Sequence, residues 1–178
     1  MLKPNRLFEI TGMLLKVATL LCLFLIAVLA LAFGAVTLAM AGLLTLPIPA
    51  SELHGLSMGQ IFAAATLALG GGLICVALVA WIFLLTGRII DFAGTGDPFV
   101  AENADRLNRI ACLLLAIQLV GLAVDAAMNL FPKAITENVS VGFDGFSASG
   151  ILATLLIFVL AQIFRHGSRM RAELEGMV

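Results

Sequence analysis

The chain has 178 residues, of which 62% are hydrophobic and 12% charged, with a net charge of -1 and a mean hydropathy of +1.14. Soluble domains carry about 25% charged residues, so the charges here are too few to coat a water-facing surface, and there is no basic face for direct binding of nucleic acid. The length suits a single domain, and the expectation is an all-α bundle of four transmembrane helices forming one integral membrane domain over residues 1–178.

The first apolar stretch has no charge from Val17 to Leu46. Crossing the hydrocarbon core takes about 20 apolar helical residues, so a span is predicted over 17–43, with Pro47 and Pro49 stopping it. Lys3 and Arg6 ahead of Ala39-Met40-Ala41 imitate a secretory signal. A signal's apolar core runs only about 7–15 residues, and this segment is read as an uncleaved span. The second span is predicted over 59–86. Within it Ala64, Ala68 and Gly72 recur every four positions and share a helix face, widened by Gly70 and Gly71, and Ala30 and Gly34 repeat the spacing in the first span. Lipid tails give apolar helices no hydrophobic reason to associate, so close backbone approach at small residues supplies the packing. The face serves helix packing within one bundle or a homo-oligomer contact. A bending role for 70–72 is a third reading, because consecutive glycines weaken a helix.

The third and fourth spans are predicted over 110–131 and 146–164. Gln118, Asp125 and Asn129, separated by steps of seven and four, lie on one face of the third. A carboxylate at the bilayer centre costs about 2.5–3.5 kcal/mol, and such residues normally face the bundle interior or water. Asp125 follows Arg109 by sixteen residues, or roughly 24 Å of helix, which puts it near the opposite interface. The stripe is either a boundary carboxylate near Lys133 with Gln118 bonded to a neighbouring helix, or a polar path for an ion or proton. Gln162, three residues before Arg165, reads as an interfacial amide.

Direction follows from the bias of Lys and Arg toward the cytoplasmic side. Lys3, Arg6 and Lys16 precede the first span, Arg88, Arg106 and Arg109 lie between the second and third, and Arg165, Arg169 and Arg171 follow the fourth. Of the ten basic residues only Lys133 falls on the other side. Both termini, the loop 87–109 and the tail 165–178 are therefore expected in the cytoplasm of a bacterium, with the spans in its inner membrane and the lipid bilayer as the first partner.

Chemistry-bearing constellations are sparse. Cys22, Cys75 and Cys112 lie singly in apolar runs and read as small buried hydrophobes, without a disulfide. His54 and His166 have no ligand partner at metal spacing. Gly94-Thr95-Gly96 lacks the third glycine of a dinucleotide fingerprint, and Asn138-Val139-Ser140 is a bare glycosylation triplet. Catalysis needs a nucleophile with its base or clustered metal ligands. No enzyme, cofactor or metal is expected.

The patterned residues lie in the loop and the tail. Gly94 to Pro98 predicts a turn, after which a helix extends the third span, with Glu102/Arg106 and Asp105/Arg109 as acid-before-base pairs four apart. Phe99 would dip into the interface. In the tail, Arg169/Glu173 and Arg171/Glu175 repeat that spacing, and the helix should continue to about Glu175. Gly96-Asp97-Pro98-Phe99, Asn103, Arg106-Leu107 and Ile110, then Ile163-Phe164-Arg165-x-Gly167, Glu173 and Val178, resemble the bacterial domain-of-unknown-function 2975 family. The chain differs from that pattern at Val100, Gln162 and Gly176-Met177. The resemblance implies a small four-helix membrane protein with no established activity, encoded beside a small helix-turn-helix regulator. It makes Asp97, Pro98, Phe99, Asn103, Arg106, Arg165, Gly167, Arg169 and Glu173 the candidate docking surface. The leading expectation is a non-enzymatic protein that regulates or sequesters such a regulator. The alternative is a transport or channel-accessory protein working through the polar stripe.

Overall fold

The computed structural model describes residues 4–44, 57–95, 100–133, 135 and 147–175. Four helices make up the fold: α1 (Pro4–Met40), α2 (Met58–Thr95), α3 (Ala101–Met128) and α4 (Ala148–Glu175), with no strand among the described residues. The all-α, four-helix architecture is the expected one. Each helix is long and apolar enough to cross a membrane. Large apolar side chains point outward along all four, among them Phe24, Leu31, Trp81, Leu119 and Leu156. A helix that is apolar all round needs an apolar surrounding, and this is the surface of a multi-pass membrane protein.

The helices pack in chain order, α1 on α2, α2 on α3 and α3 on α4. Contacts fix each pair as antiparallel. Phe33 meets Gly70 and Met40 meets Thr66; Val124 meets Gly71 while Arg106 meets Phe92; Gln118 meets Gly150 while Arg165 meets Asp105. Lys16, Arg88, Arg106, Arg109 and Arg165 consequently gather at one end, called here the basic end.

Helix boundaries run past the expected spans chiefly at one end. α1 begins at Pro4, ahead of 17, and α2 runs to Thr95, beyond 86; α3 begins at Ala101 and α4 continues to Glu175, the extensions expected ahead of the third span and in the tail. Apart from Met58, one residue ahead of 59, every excess lies at the basic end. Hydropathy marks where lipid contact ends, whereas backbone hydrogen bonding continues into water, so each helix projects past its apolar portion. Nine extra residues are about 13 Å of helix. Most of the expected loop 87–109 and tail 165–178 is therefore helical.

Caps close the helices. α1 ends before Pro47 and Pro49, which lie outside the described residues. Gly42 at φ 71° receives the chain in the left-handed region, its N–H donating to Ala39 O at 3.0 Å and that of Leu43 to Leu38 O at 3.0 Å. These bonds form a Schellman motif, and a glycine avoids the Cβ strain there. α2 opens with a reciprocal capping box: Gln60 N–H donates to Ser57 Oγ, and Ser57 N–H to Gln60 Oε1, both at 3.3 Å. Ser147 Oγ accepts from Gly150 N–H at 3.3 Å at the start of α4. Inside the spans, the hydroxyls of Thr19, Thr66, Thr86 and Thr154 donate to the carbonyl four residues back, at 2.8 Å. Their polarity is satisfied without a partner helix, as lipid demands.

The glycine run in α2 serves both neighbours. A Cβ added at Gly70 would stand 3.3 Å from Phe33 of α1, and one at Gly71 would stand 2.5 Å from Val124 Cγ2 of α3. Adjacent residues point about 100° apart around a helix, so two glycines admit two partners. Ala64 and Ala68 are buried, Ala64 in a cluster with Val124, Met128 and Ile135. Of the readings of the Ala64, Ala68 and Gly72 face, packing within the bundle is the one the structure adopts; Ala64 and Ala68 are not available to a second copy. α2 continues as helix through 70–72. Cys22, Cys75 and Cys112 are free thiols, of which Cys75 is buried and Cys112 exposed.

Candidate functional site at the basic end

The first turn of α3 has no side-chain cap. Val100 occupies the N-cap position in extended geometry, and Asn103 N–H turns back to its carbonyl at 3.0 Å. That turn directs the Asn103 side chain inward, where it is fully buried. Its Oδ1 accepts from Arg106 Nη1 at 2.8 Å. The other guanidinium arm, Nη2, meets Glu102 Oε2 at 3.1 Å, the expected acid-before-base pair. Arg106 Cζ also lies 4.4 Å from the centre of the Phe92 ring, on the last part of α2. One arginine thus joins a buried amide, a carboxylate and an aromatic face, and its side chain is only 16% exposed. Cation–π attraction gains strength when the cation is partly desolvated.

A second contact reaches α4. Arg165 Nη2 donates to Asp105 Oδ1 at 3.0 Å. This corrects the expected pairing of Asp105 with Arg109. Asp105 lies on the α3 face toward α4, and its carboxylate is taken by the helix beside it. In the tail, Arg169 and Glu173 are both exposed and make no ion pair with each other. Glu175 lies outside the residues whose side chains are described. Gly167 is half-buried and lines a shallow depression of about 780 Å³ on α4, together with Gln162, His166 and Met170 among the described residues.

Of the candidate docking residues, then, Asn103, Arg106 and Arg165 come together with Glu102, Asp105 and Phe92; Gly167, Arg169 and Glu173 follow along α4. Asp97, Pro98 and Phe99 lie outside the described residues. Phe92 and Asn103 bracket that segment from either side. Sequence reasoning missed Phe92. An aromatic residue four positions past Arg88, in a helix projecting beyond the span, is the available signal.

The polar stripe is divided. Gln118 is half-buried with its amide against Gly150 of α4, so it does face a neighbouring helix. Asp125 is half-buried, and Asn129 is exposed at the C-cap of α3, its N–H donating to Asp125 O at 3.0 Å. None of the three lines the groove between α1 and α2 or the depression on α4. No group of His, Cys, Asp and Glu among the described residues is placed to hold a metal ion.

A family model described as protein of unknown function (DUF2975) matches residues 57–178. The chain belongs to this family. The DUF2975 match takes in α2, α3 and α4 and the whole cluster around Arg106 and Arg165, and it leaves α1 outside. No curated protein sequence and no solved structure matches the chain.

Proposed function

We propose that this DUF2975 protein is a non-enzymatic regulatory protein of the bacterial inner membrane, with both termini in the cytoplasm, that holds a small helix-turn-helix transcription regulator at its basic end. The observation that carries this reading is the pair between Arg165 and Asp105. It joins the start of the tail to the helix that follows the loop, so residues far apart in sequence form one continuous surface. Arg106, fixed on Asn103 and Phe92, holds the loop's two flanks together beneath it. The bilayer contributes by restricting that surface to one plane, which concentrates any partner captured there.

The test is co-purification of the full chain, in mild detergent, with the helix-turn-helix protein that the family resemblance places beside it. Capture should fall at least tenfold when residues 169–178 are deleted and 96–103 are scrambled in a chain that still inserts. Undiminished capture would remove the docking surface. A reporter fused after Val178 should report the cytoplasm; a periplasmic signal would overturn the placement.

A further inference from the structure

Helices α1 and α2 pack closely near one end and border a groove toward the other. Phe33 packs on Gly70, and Thr66 Oγ1 lies 3.6 Å from Met40 Sδ. Toward the basic end, a Cβ added at Gly12 or at Gly87 would meet nothing within 4 Å. Between these two glycines lies a groove of about 900 Å³. Its inner wall is apolar, with Leu20, Phe83 and Leu84. Its mouth carries two cations and two carboxylates: Lys16 and Arg88, then Glu9 and Asp91 farther out.

The register places these charges in order. Lys16 stands 17 residues before Phe33 and Arg88 stands 18 after Gly70, so in antiparallel helices they are level with each other. Lys16 immediately precedes the charge-free run of α1, and Arg88 closely follows that of α2. Both therefore mark the depth at which apolar surface gives way to polar. Asp91 is one turn beyond Arg88, and Glu9 two turns beyond Lys16. Neither Lys16 nor Arg88 makes an ion pair or hydrogen bond with another described residue.

We infer that this groove is a binding site for one phospholipid with an amine headgroup, of the phosphatidylethanolamine class. The phosphate sits between Lys16 and Arg88, where a guanidinium offers paired donors to its oxygens. The ammonium, separated from the phosphate by an ethylene bridge, extends outward to Glu9 and Asp91. One acyl chain lies along Leu20, Phe83 and Leu84. The ordering of charge from apolar wall to cations to carboxylates is the ordering within that lipid. An anionic headgroup would satisfy the cations but bring negative charge toward the two carboxylates. Free phosphate would leave the apolar wall without an occupant. A second copy of this chain presenting an apolar helix would cover Lys16 and Arg88 while offering them no anion of its own, which is costly.

The experiment uses the purified full chain, delipidated in mild detergent, with native mass spectrometry to count retained lipid. Phosphatidylethanolamine and phosphatidylglycerol of identical acyl chains are the probes, with inorganic phosphate as a further arm. Phosphatidylethanolamine should be retained roughly tenfold more than phosphatidylglycerol, and phosphate should not compete. The double variant Lys16→Ala/Arg88→Ala should lose that retention by roughly tenfold, since each basic contact contributes a substantial share of such binding. Glu9→Gln should narrow the preference between the two lipids. Gly87→Leu fills the groove from a helical position with open space beside it; it should abolish retention with the melting temperature held, which separates occlusion from unfolding. Equal retention of both lipids, unchanged retention in the double variant or in Gly87→Leu, or a lipid-free dimer that Gly87→Leu dissociates would each overturn the assignment.

Discussion

Arg165 and Asp105 are 60 residues apart in sequence and 3.0 Å apart in space, the guanidinium of α4 donating to a carboxylate in the second turn of α3. Their side chains are 38% and 65% exposed, so water and salt screen the pair. Its consequence is positional: it fixes which face of the tail looks toward the loop.

The energetic share of that pair should accordingly be small. In a double-mutant cycle with Arg165→Ala and Asp105→Ala, thermal unfolding in micelles should give a coupling of about 0.2–1 kcal/mol. The coupling should shrink as salt is raised. A coupling above about 2 kcal/mol would mean that the pair is shielded from solvent.

Arg106 should matter more. Arg106→Ala takes a charged donor from the buried Asn103 carboxamide and a cation from the Phe92 ring. Hydrogen bonds to charged groups contribute about 1.5–3 kcal/mol, and a loss of that size is expected in unfolding experiments. Arg106→Lys should recover less than half, because a lysine ammonium cannot reach the Asn103 oxygen, the Glu102 carboxylate and the ring at once. Full recovery by lysine would show that charge alone is used.

Glycine positions should divide by contact. Gly71→Ala drives a methyl to 2.5 Å from Val124 Cγ2. That atom sits on a β-branched side chain with little rotamer freedom, so destabilisation of about 1–3 kcal/mol is expected. Gly34→Ala meets nothing within 4 Å and should be neutral, or stabilising by up to ~1 kcal/mol from helix propensity. Equal effects at both sites would contradict the packing of α2 on α3.

Gly150→Ala provides a parallel test on α4, since its methyl would occupy the space of the Gln118 amide. The single change should lower the melting temperature, and adding Gln118→Ala should restore most of the loss. Independent, additive effects would show that the two residues are not in contact.

The capping box of α2 offers a local measure. Ser57→Ala removes the side-chain acceptor of Gln60 N–H, leaving its bond to Ser57 O, and should cost about 0.5–2 kcal/mol. Ser57→Asp should retain most of that stability. Insensitivity to Ser57→Ala would show that the bond contributes nothing measurable to the folded state.

The four helices were legible because apolar length is a coarse, local signal that needs no partner. Their ends were less so. Pro47 and Pro49 looked like the stop for α1, yet Gly42 closes the helix first; a glycine inside an apolar run is an easily overlooked cap. The projecting turns of α1 and α2 escaped because hydropathy falls at Lys16 and Arg88 while helical geometry continues; those of α3 and α4 were readable from charged residues spaced four apart. At the candidate site, Glu102 with Arg106 was readable from spacing, being confined to one helix. Asp105 with Arg165, and Arg106 over Phe92, depend on which helices are neighbours, and residue spacing carries no such information. The face of Ala64, Ala68 and Gly72 was visible as a pattern, but its partner became definite only with Val124 and Met128 against it.

The main helix contacts run between chain neighbours, α1 with α2, α2 with α3 and α3 with α4. A chain emerging from the ribosome can therefore settle α2 on α1 while α3 is still unmade, and no early segment has to wait exposed for a distant mate. Such low contact order favours quick assembly and leaves α4, whose Arg165 meets Asp105, to complete the surface after the other three helices are made.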